Sequence, residues 1–328
     1  MSAHTLNLCG VLSETKRIIN AHSRHFLALS VLFLLPLSFS LVVFPSLSHS
    51  PSPLSHYHRS LFFFSSPDLP PIATSDLLLA SLYALFTVFF SLFATASITH
   101  STFHGFYGRP VKFISSIKYV LTSFLPLIGT LIISIFILGL IALGFGGFTV
   151  LLYNALALIG VEIDYTNNVY LMTFVALNTV LLFGVLIYLQ VEWCLLFVVV
   201  VVESKWGFAA MRRSACLVRG MRGVAFGLIL LFQSLVGLLG LLCSTVVPSA
   251  GGLSIRDWIS WAFVFQAVVY TGFMTILMLY SVAATAVLFM YCKALQGELA
   301  FEIAEEFAQE YIRLPFDDGK LSHVVYVV

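Results

Sequence analysis

Six times along the chain, apolar residues run with little interruption for about 20 positions or more, at about 26–44, 77–98, 124–152, 169–202, 224–247 and 258–292. A helix needs about 20 such residues to cross the roughly 30 Å hydrocarbon core of a bilayer. Barrel strands would instead alternate apolar and polar residues over about 10 positions. In lipid only helices and closed barrels satisfy every backbone N–H and C=O, so continuous runs of this length predict helices. The pattern therefore predicts an all-α, polytopic integral membrane helical bundle of six transmembrane helices. It divides the chain into a cytosolic amphipathic segment at 1–25, a membrane domain at 26–292 and an acidic cytosolic tail at 293–328. The first run is expected to be an uncleaved signal anchor, because its 25-residue leader is long for a cleaved signal and five further runs follow.

Three runs, 124–152, 169–202 and 258–292, are too long for an upright crossing. Residues 258–292 carry tryptophans at their start, Trp258 and Trp261, which predicts an interfacial turn near 255–263 before a tilted crossing to about Tyr291. Run 169–202 is expected either to continue past the cytosolic face or to kink there. It holds Gln190 and Glu192, the latter the one carboxylate inside an apolar run. An ionisable residue at membrane depth is by default a functional candidate. The plainer expectation puts Glu192 near the cytosolic interface, paired with a Lys or Arg of the next loop. The "LGFGG" at 143–147 supplies glycines able to break a helix or to admit a close neighbour, and Gly223 and Gly227 form a GxxxG pair.

Outside the runs, helical periodicity persists in three places. Val11, Leu12, Thr15, Ile18, Ile19 and His22 form a stripe opposite Glu14, Lys16 and Arg17, which predicts a cytosolic helix lying on the membrane surface. In the tail, Leu299, Ile303, Phe307 and Tyr311 recur every fourth position among five glutamates, Glu298 to Glu310. Between the fourth and fifth runs, Lys205, Arg212 and Arg219 fall within about 40° on a helical wheel, opposite Trp206, Ala210, Ser214, Leu217 and Met221. This segment is expected to be an interfacial helix that touches anionic lipid headgroups, the acidic tail, or both, through Lys205, Arg212, Arg213, Arg219 and Arg222.

Composition and charge sharpen the class. With 60% hydrophobic and 9% charged residues over 328 positions, no water-soluble fold could cover such a core. The formal net charge of +1 offers no bulk attraction for nucleic acid, and the basic segment carries only Trp206 and Phe208 as aromatic partners, so no nucleic-acid partner is expected. Charge placement carries the information. Fourteen of the sixteen Lys/Arg residues fall in the N-terminal segment, loops 99–123 and 203–223, and the tail; only Arg59 and Arg256 lie on the opposite side. By the positive-inside rule both termini are expected in the cytosol. Lacking an Arg/Ser-rich transit peptide, the chain is expected in the endoplasmic reticulum or plasma membrane.

Candidate chemistry is sparse. The five cysteines, Cys9, Cys194, Cys216, Cys243 and Cys292, form no CxxC, and no HExxH, nucleophile–base pair or paired intramembrane aspartates occur. Cys216 and Cys292 lie at cytosolic membrane boundaries, where S-acylation is chemically open. "HYH" at 56–58 sits in a Pro/Ser-rich loop without further ligands. His100 and His104 make an HxxxH like one box of the membrane di-iron enzymes, whose other boxes are missing, so interfacial histidines are the expectation. No enzyme activity, cofactor or metal is expected.

Glu203, Gly207, Ala209, Ala210, Arg213, Ser214, Leu217 and Gly220 spell an "E…G…AA.RRS..L.RG" pattern after a long apolar run. It resembles that of plant-type six-span membrane proteins, some of which carry an inherited name suggesting interaction with a polyadenylate-binding protein. A similar pattern occurs in the membrane domain attached to bacterial glycerophosphodiester phosphodiesterases. The resemblance implies the six-span fold but not the hydrolase, whose soluble barrel has no room in this chain. The resulting expectation is a non-enzymatic scaffold, adaptor or lipid-organising protein of the endomembrane system, with membrane lipids and a cytosolic protein as partners. The alternative is a transporter or channel for a small or lipidic solute, with Glu192, Gln190, Asn178 and Gln233 as interior polar groups.

Overall fold

The computed structural model describes residues 7–48, 74–108, 113–158, 169–246, 261–300 and 304. Among these the protein is helical with no strand, an all-α polytopic bundle. Six segments are long and apolar enough to cross a membrane: Ser23–Phe44, Leu77–Phe106, Tyr119–Ala155, Met172–Glu203, Arg222–Leu242 and Val264–Leu295. The helices are α1 (Leu8–Ala21), α2 (Ser23–Leu29) continuing through a π-helical turn (Ser30–Leu34) into α3 (Leu35–Ser48), α4 (Thr74–Phe106) and α5 (Phe113–Leu158). They are followed by α6 (Val169–Glu192), α7 (Leu196–Glu203), α8 (Phe208–Val218), α9 (Arg222–Val246) and α10 (Trp261–Leu295). Six crossings put α1, α8 and the end of α10 at one end of the bundle, called here the basic end.

The expectations for the α1 stripe and for the glycines of 143–147 change, and the choice left open for run 169–202 resolves to a break. The α1 stripe does not lie on lipid. Val11, Thr15, Ile18 and Ile19 are buried against the bundle, with α10 as the main neighbour and α4 and α9 beside it. An apolar stripe gains the same burial from protein as from lipid, and the single non-helical residue His22 between α1 and α2 folds the stripe back onto the helix ends. Gly105 makes room for this approach, since a Cβ there would stand 3.0 Å from Ile18 Cγ2.

Run 169–202 is two helices, because the chain breaks at Trp193–Leu195. Here the bonds shorten to i→i−3, with Cys194 N donating to Val191 O at 3.3 Å and Leu196 N to Trp193 O at 3.0 Å. α7 that follows is apolar on every side from Leu196 to Val202, so only a fully enclosed position suits it. Leu196 and Val198 to Val201 are all buried, and α4, α5, α8 and α10 pack around them. The hydrophobic core is centred on this short helix.

The glycines of "LGFGG" neither break α5 nor admit a neighbour, for α5 runs unbroken and a Cβ at Gly144, Gly146 or Gly147 would meet nothing within 4 Å. Of the GxxxG pair, Gly227 lies beside Leu8 of α1, while Gly223 faces open space. α5 is 46 residues long, about 69 Å at 1.5 Å per residue, well beyond the expected 124–152. Its outer half pairs with α6 through Asn178, whose Nδ2 donates to Thr149 Oγ1 at 2.7 Å and to Phe145 O at 3.2 Å. α10 is already helical at Trp261; the expected turn near 255–263 falls mainly outside the described residues, as do "HYH" and most of the acidic tail.

Candidate functional site

The basic segment is a helix held between two turns. α7 ends at Ser204, whose φ of 53° is left-handed, and the chain then passes Gly207 at φ 64°, ψ −137°, a conformation open only to glycine. Gly207 N donates to Thr130 Oγ1 at 3.0 Å, and a Cβ on Gly207 would stand 3.1 Å from Ile133 Cδ1. α8 leaves this point with Ala210, Met211, Ser214, Leu217 and Val218 buried against the bundle. Its apolar face therefore meets protein. Trp206, placed by the helical wheel with that face, belongs to the turn before α8 and is 63% exposed, its ring beside Gly129.

Each position of the sequence pattern now has a place. Arg213 of α8 reaches two carboxylates at once. Its Nε and Nη2 donate to Glu203 at 3.1–3.2 Å, while Nη1 donates to Glu298 at 2.9 Å and Nη2 makes a second, shorter bond to the same carboxylate. Lys205 adds a bond to Glu203 at 2.9 Å. Ser214 Oγ donates to Glu192 O at 2.8 Å, satisfying a carbonyl that the end of α6 leaves without an intrahelical partner. Ala210 and Leu217 fill the interface, and Gly220 sits against Leu295. The hydrogen bond to Glu298, joined by Glu203, holds the Arg213 guanidinium well above its ordinary range. The same bond draws the Glu298 carboxyl down, against the opposing effect of its partial burial. Arg213 is a fully engaged tie between α7, α8 and the first residues after α10.

Glu192 lies at the same end, almost wholly buried, and its carboxylate meets the Arg222 guanidinium at 2.5 Å. Arg222 also stands over the Tyr188 ring at 6.0 Å. The carboxylate is thus matched by a charge from the start of α9. Gln190 and Gln233 are exposed and Asn178 binds α5, so the four polar groups named for a transport path do not converge.

Sorted by surroundings, the five basic residues divide. Arg213 and Arg222 hold the helix ends together, and Lys205 is half-exposed on Glu203. Arg212 and Arg219 are exposed, on the side of α8 that also carries Phe208 (68% exposed) and Cys216, with Trp206 at its beginning. Cys292, the other boundary cysteine, is buried. Glu298 is the first glutamate of the acidic segment expected to meet the basic one, and Arg213 reaches it; Glu203 was named only as a letter of the pattern, and Tyr188 was not singled out. Glu203 lies ten positions from Arg213 and Glu298 eighty-five, spacings that no single helix brings together.

Residues 2–323 match a family model described as a domain of unknown function, DUF8558. The chain belongs to this family. No curated protein and no solved structure matches it. In this DUF8558 protein, then, the basic end is read from its own geometry: a rigid helix with one face tied into the bundle and the other offering arginine and aromatic side chains.

Proposed function

We propose that this DUF8558 protein is a non-enzymatic, multi-pass integral membrane protein that gathers anionic lipid at its basic end, as a scaffold or lipid-organising component of an endomembrane or plasma membrane. The observation that carries this reading is the exposed face of α8. Among the described residues Arg212 and Arg219 make no ion pair, while Arg213 and Arg222, their neighbours in sequence, are consumed by them. Trp206 beside them has the amphipathic, interface-seeking character of a membrane-belt aromatic, and Phe208 adds an exposed apolar ring. The face is held rigid by Gly207, Ser214 and Arg213, so the backbone that carries the arginines needs no ordering when headgroups bind.

Each basic residue near a membrane surface contributes about 1 kcal/mol towards anionic headgroups. Replacing Arg212 and Arg219 with Gln should therefore weaken phosphatidylserine binding about 30-fold, as measured on the purified protein by native mass spectrometry of retained lipid and by titration in nanodiscs. Equal retention by the variant would overturn the reading. The transport alternative has Glu192 as its best support. Its pairing with Arg222 and the absence of convergence with Gln190, Asn178 and Gln233 leave the lipid-organising reading the better supported one.

A further inference from the structure

The last turns of α4 hold two histidines, His100 and His104. Positions i and i+4 share a helix face, and His100 Nε2 and His104 Nε2 stand 3.2 Å apart. The His100 ring is set from outside the pair. Tyr119 of α5 lies against it with ring centroids 4.3 Å apart, and the Tyr119 hydroxyl is fixed by donating to Val201 O at 2.6 Å. A cavity of about 70 Å³ opens on both histidines, closed by Phe103, Tyr119, Val201 and Val202. Among the described residues His100 Nδ1 is buried without a hydrogen-bond partner, so the bond to His104 is the one polar contact of that ring.

We propose that His100 and His104 bind one divalent late-transition-metal ion of the zinc class, completed by water or a small anion held in the adjoining cavity. At zinc–nitrogen distances of about 2.0–2.1 Å, two imidazoles on a tetrahedral ion hold their nitrogens about 3.3–3.4 Å apart. The observed 3.2 Å is that bite to within a few tenths of an ångström. Imidazole donors without carboxylate select zinc, copper, nickel or cobalt over magnesium and calcium. A tetrahedral ion with two histidines has two positions left. The cavity accommodates more than one water, each taking about 10–15 Å³ of such volume. Among the described residues no third His, Cys, Asp or Glu joins the pair, so in this assignment the remaining positions fall to water or a small anion. The hydrogen bond between the two rings sets their separation, and a bound ion would replace that bond.

Cobalt(II) is the probe, because tetrahedral coordination gives it an intense visible absorption. Chelator-stripped full-length protein in nanodiscs should bind about one equivalent of cobalt(II) with this spectrum, and zinc(II) should displace it. His104→Ala, and separately His104→Gln to retain side-chain volume, should each weaken binding more than about tenfold while the thermal midpoint without metal stays near that of the wild type. Should one variant fail to fold, the other carries the comparison, and copper(II) electron paramagnetic resonance on the wild type should show two coordinated imidazole nitrogens. No saturable binding by the wild type would overturn the assignment. So would full affinity in a folded His104 variant, which would place the ion elsewhere.

Discussion

Arg213 spreads one guanidinium over two carboxylates from different parts of the chain, and its neighbours in sequence do not share that role. It is only 19% exposed, and its loss would leave Glu203, at 10%, with Lys205 alone. Hydrogen bonds to charged groups contribute about 1.5–3 kcal/mol each when partly buried, so Arg213→Gln should cost about 2–3 kcal/mol and lower the thermal midpoint in detergent. Arg212→Gln, one position away and exposed, should change it by less than about 0.5 kcal/mol. The Glu298 half of the tie also has a sign with pH. Its carboxyl is drawn below its ordinary value of 4.5 by Arg213, so this stabilising contribution is complete above that value and is lost as pH falls through the lowered one. Protection of the segment after Leu295 from proteolysis should therefore hold from neutral pH down to about 4.5 and decline only below it, and Arg213→Gln should abolish it at every pH.

Gly207 is the other residue whose role the sequence showed only as a letter in a pattern. With φ 64° and a prospective Cβ 3.1 Å from Ile133, Gly207→Ala should destabilise by about 1–3 kcal/mol in thermal unfolding. Gly129→Ala on α5, where the Cβ would meet the Trp206 ring at an ordinary 3.6 Å, should be close to neutral. The basic residues were legible as a set from their spacing. Their division into tied and uncommitted arginines was not, since it depends on Ser204 and Gly207 turning α7 and α8 against each other. Backbone signs of φ leave no trace in charge or hydropathy.

At the scale of elements, hydropathy carried the spans well and their ends poorly. The six runs correspond to the six apolar helices because desolvating twenty apolar side chains leaves a segment no other arrangement in lipid. The length of the fourth run left a kink as one of two expectations, but its place at Trp193–Leu195 was not legible, since apolar residues continue straight through it and the break is made by backbone bonds and by Ser214 reaching Glu192 O. Likewise α1 showed its stripe but not what covers it, because lipid and protein reward the same pattern. The two coverings differ in consequence. Ile18 is buried against the bundle, so Ile18→Ala should cost about 2–4 kcal/mol of global stability, as expected for a core position. A helix resting on lipid alone would lose surface affinity and leave the midpoint unchanged. Amide exchange in α1 should also be slow in detergent, with protection close to that of α10, whose face it covers.

For the whole molecule, the basic segment has two roles that separate on mutation, orientation and surface binding. Orientation depends on how many positive residues lie on each side, and fourteen of sixteen lie on the side of the termini. Arg212→Gln with Arg219→Gln removes two of those fourteen and leaves twelve against two, a bias that still fixes the topology. Neither residue is consumed by an ion pair of the kind that engages Arg213 and Arg222, so the fold should survive as well. A glycosylation acceptor fused to the C-terminus is expected to stay unmodified both in the wild type and in the double variant, and the variant is expected to melt within about 1 kcal/mol of the wild type. It should nevertheless lose bound anionic lipid. Modification of the acceptor in the variant would mean that the segment serves topology above all, and that the angular sorting of its charges on α8 has no separate use.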